Sequence, residues 1–187
     1  MTAGNRYCMK ITDTLWHPLP ACGDVRLRRW LLDRGSLTCR IQLRCENFRL
    51  DVLSQRLAAA RRDERAVIGV RADADCMVRE ISLNCGRQPR VVAPAVVAPR
   101  ALKGAWRMLS GLGTRPLGAA LFTDPRIRRF PLRFRQLNRS HALYQRAQSL
   151  VDEPPVSLWA RRSLFVLAGS PLLVTEVFLP AILALAP

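Results

Sequence analysis

Lysine and histidine are scarce in this chain. Lys10 and Lys103 are the lysines among 30 Lys+Arg, and His17 and His141 are the histidines among 187 residues. Two isolated imidazoles do not make the usual zinc patterns, and the six cysteines (8, 22, 39, 45, 76 and 85) contain no C-x-x-C pair. Ten glycines and thirteen prolines are ordinary usage, which excludes collagen-like and low-complexity chains. A G-x-S-x-G elbow and a Walker lysine loop are absent. Gly111, Gly113 and Gly118 have the wrong spacing for a dinucleotide loop and follow a helical pattern rather than a strand. The first twenty residues mix Asn5, Arg6, Lys10 and Asp13 without an apolar run, unlike a secretory leader. Reduced thiols in a cytoplasmic protein are the expectation.

What is present is positive charge. Thirty basic residues against 14 acidic ones give a net charge of +16. Such a field attracts nucleic acid, anionic lipid or small carboxylates alike. The arginines are spread along the chain rather than gathered in a tail, which also fits a composition in which arginine simply replaces lysine. From Ser163 to Pro187 the sole charge is Glu176, a stretch long enough to span a bilayer. Gly169-Ser170-Pro171 and Pro180 interrupt it, however. The pieces SLFVLA and LLVTEVFL predict two buried strands joined by a tight turn rather than a membrane segment.

Elsewhere Asp24 is placed to cap a short helix through Leu27, Trp30 and Leu31 that stops at Gly35, and Ser36 to cap a second through Leu37 and Ile41. Strands are predicted over Asn47 to Ser54, Cys76 to Leu83 and Arg90 to Val97, with Gly86 to Pro89 as a turn. Pro94 argues for an edge position or a bulge. A helix through Leu102, Trp106 and Leu109 closes at Gly111 and Gly113, and another starts at Pro116. Phe130, Leu132 and Phe134 alternate with arginines in one strand, and 136–155 reads as a loop with His141 exposed. Hairpin-linked strands with inserted helices make an α+β domain on an antiparallel sheet, one domain over 1–187.

Two charges fall on apolar faces. Arg79 shares a strand face with Met77, Ile81 and Leu83, and Glu176 with Leu172, Val174 and Phe178. Buried charges must be paired, hydrogen-bonded or neutralised. Either Arg79 and Glu176 form an ion pair with each other or with other residues, or they line a closed pocket. In the pocket the arginine fork grips a carboxylate and Glu176 meets a hydroxyl or acts as a base.

Several segments, in collinear order from Trp30 to Pro180, resemble the bacterial chorismate pyruvate-lyase family. They are Trp30-Leu-Leu-Asp-Arg-Gly-Ser36-Leu37-Thr38, Val78-Arg79-Glu80-Ile81, Arg115-Pro116-Leu117-Gly118-Ala-Ala-Leu121-Phe122, Trp159-Ala-Arg161-Arg162-Ser163 and Gly169-Ser-Pro171-Leu-Leu-Val-Thr175-Glu176-Val-Phe-Leu179-Pro180. The resemblance implies an antiparallel sheet enclosing a buried ligand site. It implies conversion of chorismate to 4-hydroxybenzoate and pyruvate, the step supplying the ubiquinone ring, without cofactor or metal. By the same resemblance Arg79 and Glu176 contact the ligand, Leu117 offers a main-chain contact, and Leu37, where relatives often have Met, binds the substrate as a hydrophobic lid or through its main chain. A cytoplasmic monomer, neither integral to a membrane nor bound to nucleic acid, is expected. One departure is Val91-Val-Ala-Pro94-Ala-Val-Val, where relatives often carry polar or basic residues. The rival readings are a non-catalytic domain binding small aromatic acids and a basic nucleic-acid-binding accessory protein.

Overall fold

The computed structural model describes residues 15–186. Two caps start the chain as the sequence predicts. Asp24 Oδ1 accepts from the amides of Arg26 and Leu27 (2.8 and 3.1 Å) to open α1 (Val25–Leu32). Ser36 Oγ accepts from the Cys39 amide (3.3 Å) to open α2 (Leu37–Gln42). α1 ends at Asp33 rather than Gly35, because Asp33 turns to an extended conformation and its carboxylate takes the Gly35 amide.

The remaining elements are β1 (Phe48–Ala59), α3 (Arg62–Ile68), β2 (Asp75–Cys85), β3 (Gln88–Val97), α4 (Pro99–Leu102), α5 (Leu117–Thr123), β4 (Arg128–Arg129), β5 (Arg133–Asn138), α6 (Ala142–Gln148), β6 (Ser157–Leu167) and β7 (Ser170–Phe178). The seven strands form one antiparallel sheet in the order β1-β2-β3-β7-β6-β4, with β5 also on β6. Period-two alternation divides the buried side chains between its faces. One face carries Ile81, Leu83, Val91, Ala93 and Phe178 against α1 and α2, and Ala95, Phe165 and Leu172 against α5. The other carries Val92, Ala160 and Val177 against α6, and Val78, Val96, Leu164 and Leu173 against α3. The C-terminal apolar stretch is therefore core. Among the described residues no helix is long and apolar enough to cross a membrane. The β6–β7 turn is tight, with Ala168 (φ 46°) and Gly169 (φ 72°) both left-handed, as two-residue hairpin turns require.

Several expectations are corrected. Pro94 lies in a central strand, not at an edge. Pairing with β7 runs through Val91↔Phe178 and Val92↔Val177 and resumes only at Ala95↔Val174, so the missing proline N–H is absorbed by a gap in the ladder. The helix expected through Trp106 and Leu109 breaks into α4 and a 3-10 turn over Arg107–Gly111, on either side of Gly104. The strand expected around Phe130 and Phe134 is two strands, because Pro131 interrupts the run along β6. The loop after Gln136 contains α6, with the side chain of His141 accepting from the Leu143 amide as its N-cap. The cysteines are not all reduced: Cys45 and Cys85 are disulfide-bonded, joining the segment after α2 to the end of β2. Cys22, Cys39 and Cys76 are free, and Cys8 lies outside the described residues.

Candidate functional site

A cavity opens between the sheet and the helices α2 and α5. Its floor can be read row by row from the strand register. In one row Gln55 of β1 lies opposite Arg79 of β2, Arg79 opposite Ala95 of β3, Ala95 opposite Val174 of β7, and Val174 opposite Ser163 of β6. Two residues along, Ile81 lies opposite Ala93 on one side of the floor and Glu176 opposite Arg161 on the other. The alanines leave room above the sheet where larger side chains would fill it. Val91 to Val97 thus supplies space rather than polar contacts.

The roof is the first turn of each lid helix. Leu37 is the first residue of α2 and Leu117 of α5, so their amides have no acceptor within their own helices. The two helices touch closely at Gly118, where an added Cβ would stand 2.9 Å from Ser36 Oγ. The four residues Leu37, Arg79, Leu117 and Glu176 all line this cavity.

Arg79 and Glu176 do not pair with each other. Arg79 is 4% exposed and donates to Gln55 Oε1 (3.0 Å) and the Gly113 carbonyl (2.8 Å). Burial pulls its pKa below the ordinary arginine value, and no carboxylate forms a salt bridge with it among the described residues. It remains a cation in want of an anion. Glu176 Oε2 is taken by Arg161 Nε. Arg161 is fully buried, and its Nη1 donates to the carbonyls of Trp30, Leu31 and Asp33 at the end of α1 (3.0, 3.2 and 2.6 Å). Glu176 is thus held in place from below while bordering the cavity.

The sequence reading missed Arg129. It looked like one member of an arginine-covered strand face, yet it lines the cavity. Its Nε and Nη2 donate to Ser163 Oγ (3.2 and 2.9 Å), and its guanidinium lies over the rings of Phe122 and Phe165 (5.0 and 5.4 Å). Burial first, and then Arg161, lower its pKa, with Glu176 and Asp33 opposing in part. The signal that could have found it is the Trp159–Ser163 segment, whose serine is its partner. Among the described residues no three His, Cys, Asp or Glu side chains gather into a metal-sized site.

An antiparallel sheet with α2 and α5 over a cavity bordered by two arginines and one carboxylate makes this a single-domain α+β protein with one candidate ligand site. The chorismate lyase family profile matches residues 14–185. The probable chorismate pyruvate-lyase of Nitrosomonas europaea is 49% identical over 175 residues, covering 93% of this chain and 98% of that protein. That of Nitrosospira multiformis is 51% identical over 172 residues, covering 91% and 96%. The chain belongs to the chorismate lyase family, as the five segments suggested. Its fold also matches the C-terminal domain of PhnF, at a TM-score of 0.57 with 15% identity over 79% of this chain and 86% of that one. That likeness extends to the fold alone.

Proposed function

We propose that the chain converts chorismate to 4-hydroxybenzoate and pyruvate in the cytoplasm, as a monomer without a cofactor, supplying the ubiquinone ring. Arg79 holds the ring carboxylate through its remaining N–H groups, with the Leu37 and Leu117 amides facing the same ligand. Glu176 meets the ring hydroxyl through Oε1, the oxygen not engaged by Arg161. The observation that carries this reading is the gathering of an unpaired buried cation and a pinned carboxylate around one cavity, in a chain of this family.

The net change breaks the ether C–O bond, whose electron pair leaves with the enolpyruvyl oxygen. The neighbouring hydroxyl-bearing carbon loses its proton, and the ring becomes aromatic. The proton goes to Glu176 or directly to the enolpyruvyl methylene, which then becomes the methyl group of pyruvate. Holding the ring at both ends fixes the geometry in which these bonds change together.

The test is purified protein with chorismate, following 4-hydroxybenzoate by absorbance and pyruvate by a coupled assay. Equal appearance of both products, lost in Arg79→Ala and Glu176→Ala, supports the reading. Glu176→Gln separates the two proton routes. A loss of about 100-fold or more marks Glu176 as the base, and activity within a few fold rejects it. Absence of turnover with 4-hydroxybenzoate still raising the melting temperature would mean a binding domain. Salt-sensitive RNA or DNA binding and indifference to 4-hydroxybenzoate would mean a nucleic-acid accessory protein.

A further inference from the structure

We propose that Arg129 is a second anion anchor of the cavity, taking the side-chain carboxylate of the substrate while Arg79 takes the ring carboxylate; the inference rests on the reading above. Charge counting leads to it. Among the described residues, the charged ones lining the cavity are Arg79, Arg129 and Glu176. Glu176 is balanced by Arg161, whereas among the described residues neither Arg79 nor Arg129 makes a salt bridge to a carboxylate. Two uncompensated cations in a partly desolvated cavity call for two negative charges. Chorismate brings two carboxylates, and 4-hydroxybenzoate keeps one.

The geometry suits that division. Arg129 is anchored on Ser163, at the far end of the cross-strand row that begins with Arg79. Three strand spacings, about 14 Å of backbone, separate the two ends. Ala95 and Val174 lie between them on the cavity floor. The Arg129 fork is immobilised by Ser163, by the Arg34 carbonyl and by the two phenylalanine rings. Those bonds use three of its five N–H groups and leave two for a ligand. Phe122 and Arg129 also border a second cavity with Leu19, Arg34 and Leu132, so Arg129 stands between the two.

An arginine at this end has a chemical role beyond binding. When the ether bond breaks, negative charge moves onto the enolpyruvyl fragment, and a fixed guanidinium beside its carboxylate favours that anion as it forms. Arg129 then loses its partner with pyruvate, while Arg79 keeps its own with 4-hydroxybenzoate.

Two ligands separate the anchors: 4-hydroxybenzoate, with one carboxylate, and 3-(carboxymethoxy)-4-hydroxybenzoate, an inert aromatic with a second carboxylate on the ether arm. Titration calorimetry on Arg129→Met is expected to show the dicarboxylate weakened by about 30-fold or more, with 4-hydroxybenzoate changed by less than about threefold. Arg79→Met weakens both. For chorismate, kcat/KM falls by about 100-fold in Arg129→Met and recovers in part in Arg129→Lys. Retained 4-hydroxybenzoate binding shows that the variant is folded. If Arg129→Met does not fold, Arg129→Gln, which can still donate to Ser163, is read in the same way. Equal weakening of both ligands, or a dicarboxylate affinity within threefold of wild type, overturns the proposal. A wild-type protein that binds the dicarboxylate through Arg129 yet never turns over chorismate sinks the lyase reading and leaves the anchor standing.

Discussion

Arg161, without solvent exposure, ties Glu176 of β7 to the last carbonyls of α1. One side chain therefore caps a helix and positions the acidic residue of the cavity, and the same cation satisfies both. Replacing it with methionine strands a partly buried carboxylate and frees three carbonyls. Arg161→Met is expected to lower unfolding free energy by about 3–5 kcal/mol in urea titrations. The double variant Arg161→Met/Glu176→Met should lose clearly less than the sum of the two single losses. Additive losses would mean that the pair is not coupled.

The Cys45–Cys85 bond closes a loop of 40 residues that contains β1 and α3. On the chain-entropy account, such a loop contributes about 4 kcal/mol to stability. Unfolding under oxidising and reducing conditions measures it, and equal midpoints would exclude the bond in solution. Peptide mapping after alkylation checks the thiols. Cys39 is exposed and should label fast in the native protein. Burial pushes the Cys22 and Cys76 thiols above their ordinary pKa, so both should label slowly until the chain unfolds.

What the sequence could and could not reveal follows from how local each signal is. The Asp24 and Ser36 caps, the hairpin at Gly169 and the apolar faces of Arg79 and Glu176 are set by neighbours within a few residues, and all are present in the structure. The partner of Glu176 is 15 residues away across a hairpin, and alternation alone did not distinguish Arg161 from Arg79. Arg129 was hidden among the arginines of its own strand face, and only the packing of Phe122, Phe165 and Ser163 around it makes it part of the cavity. Pro94 broke a sound rule because the ladder to β7 can lapse for two residues without exposing the strand. α6 shows a short apolar stripe, Leu143, Tyr144 and Ala147, which is too brief to stand out in a polar segment.

The net charge of +16 makes a specific kinetic prediction. A dianion approaching this chain is drawn in over distances comparable to the Debye length, about 10 Å at 0.1 M salt. Raising sodium chloride from about 20 mM to about 0.5 M should lower kcat/KM for chorismate several fold. The value of kcat should move little, since the charges inside the cavity are less screened than those on the surface. A kcat/KM that is flat across this range would show that the surface arginines do not steer the substrate.

The aromatic product should leave slowly. In the proposed complex 4-hydroxybenzoate retains the contacts that hold the substrate ring, its carboxylate at Arg79 and its hydroxyl at Glu176, and it loses only the charge that departs with pyruvate. The cavity that holds it is roofed by α2 and α5, which meet closely at Gly118. Binding energy that is not given up at the chemical step reappears as a barrier to release. The inhibition constant for 4-hydroxybenzoate is therefore expected at or below the KM for chorismate, and rapid-mixing experiments should show a burst of about one product per enzyme before the steady rate. Arg79→Lys, which weakens the retained carboxylate contact, should shrink that burst even as it slows the chemistry. Linear progress curves with no burst, and an inhibition constant far above KM, would mean that the roof opens faster than the ether bond breaks.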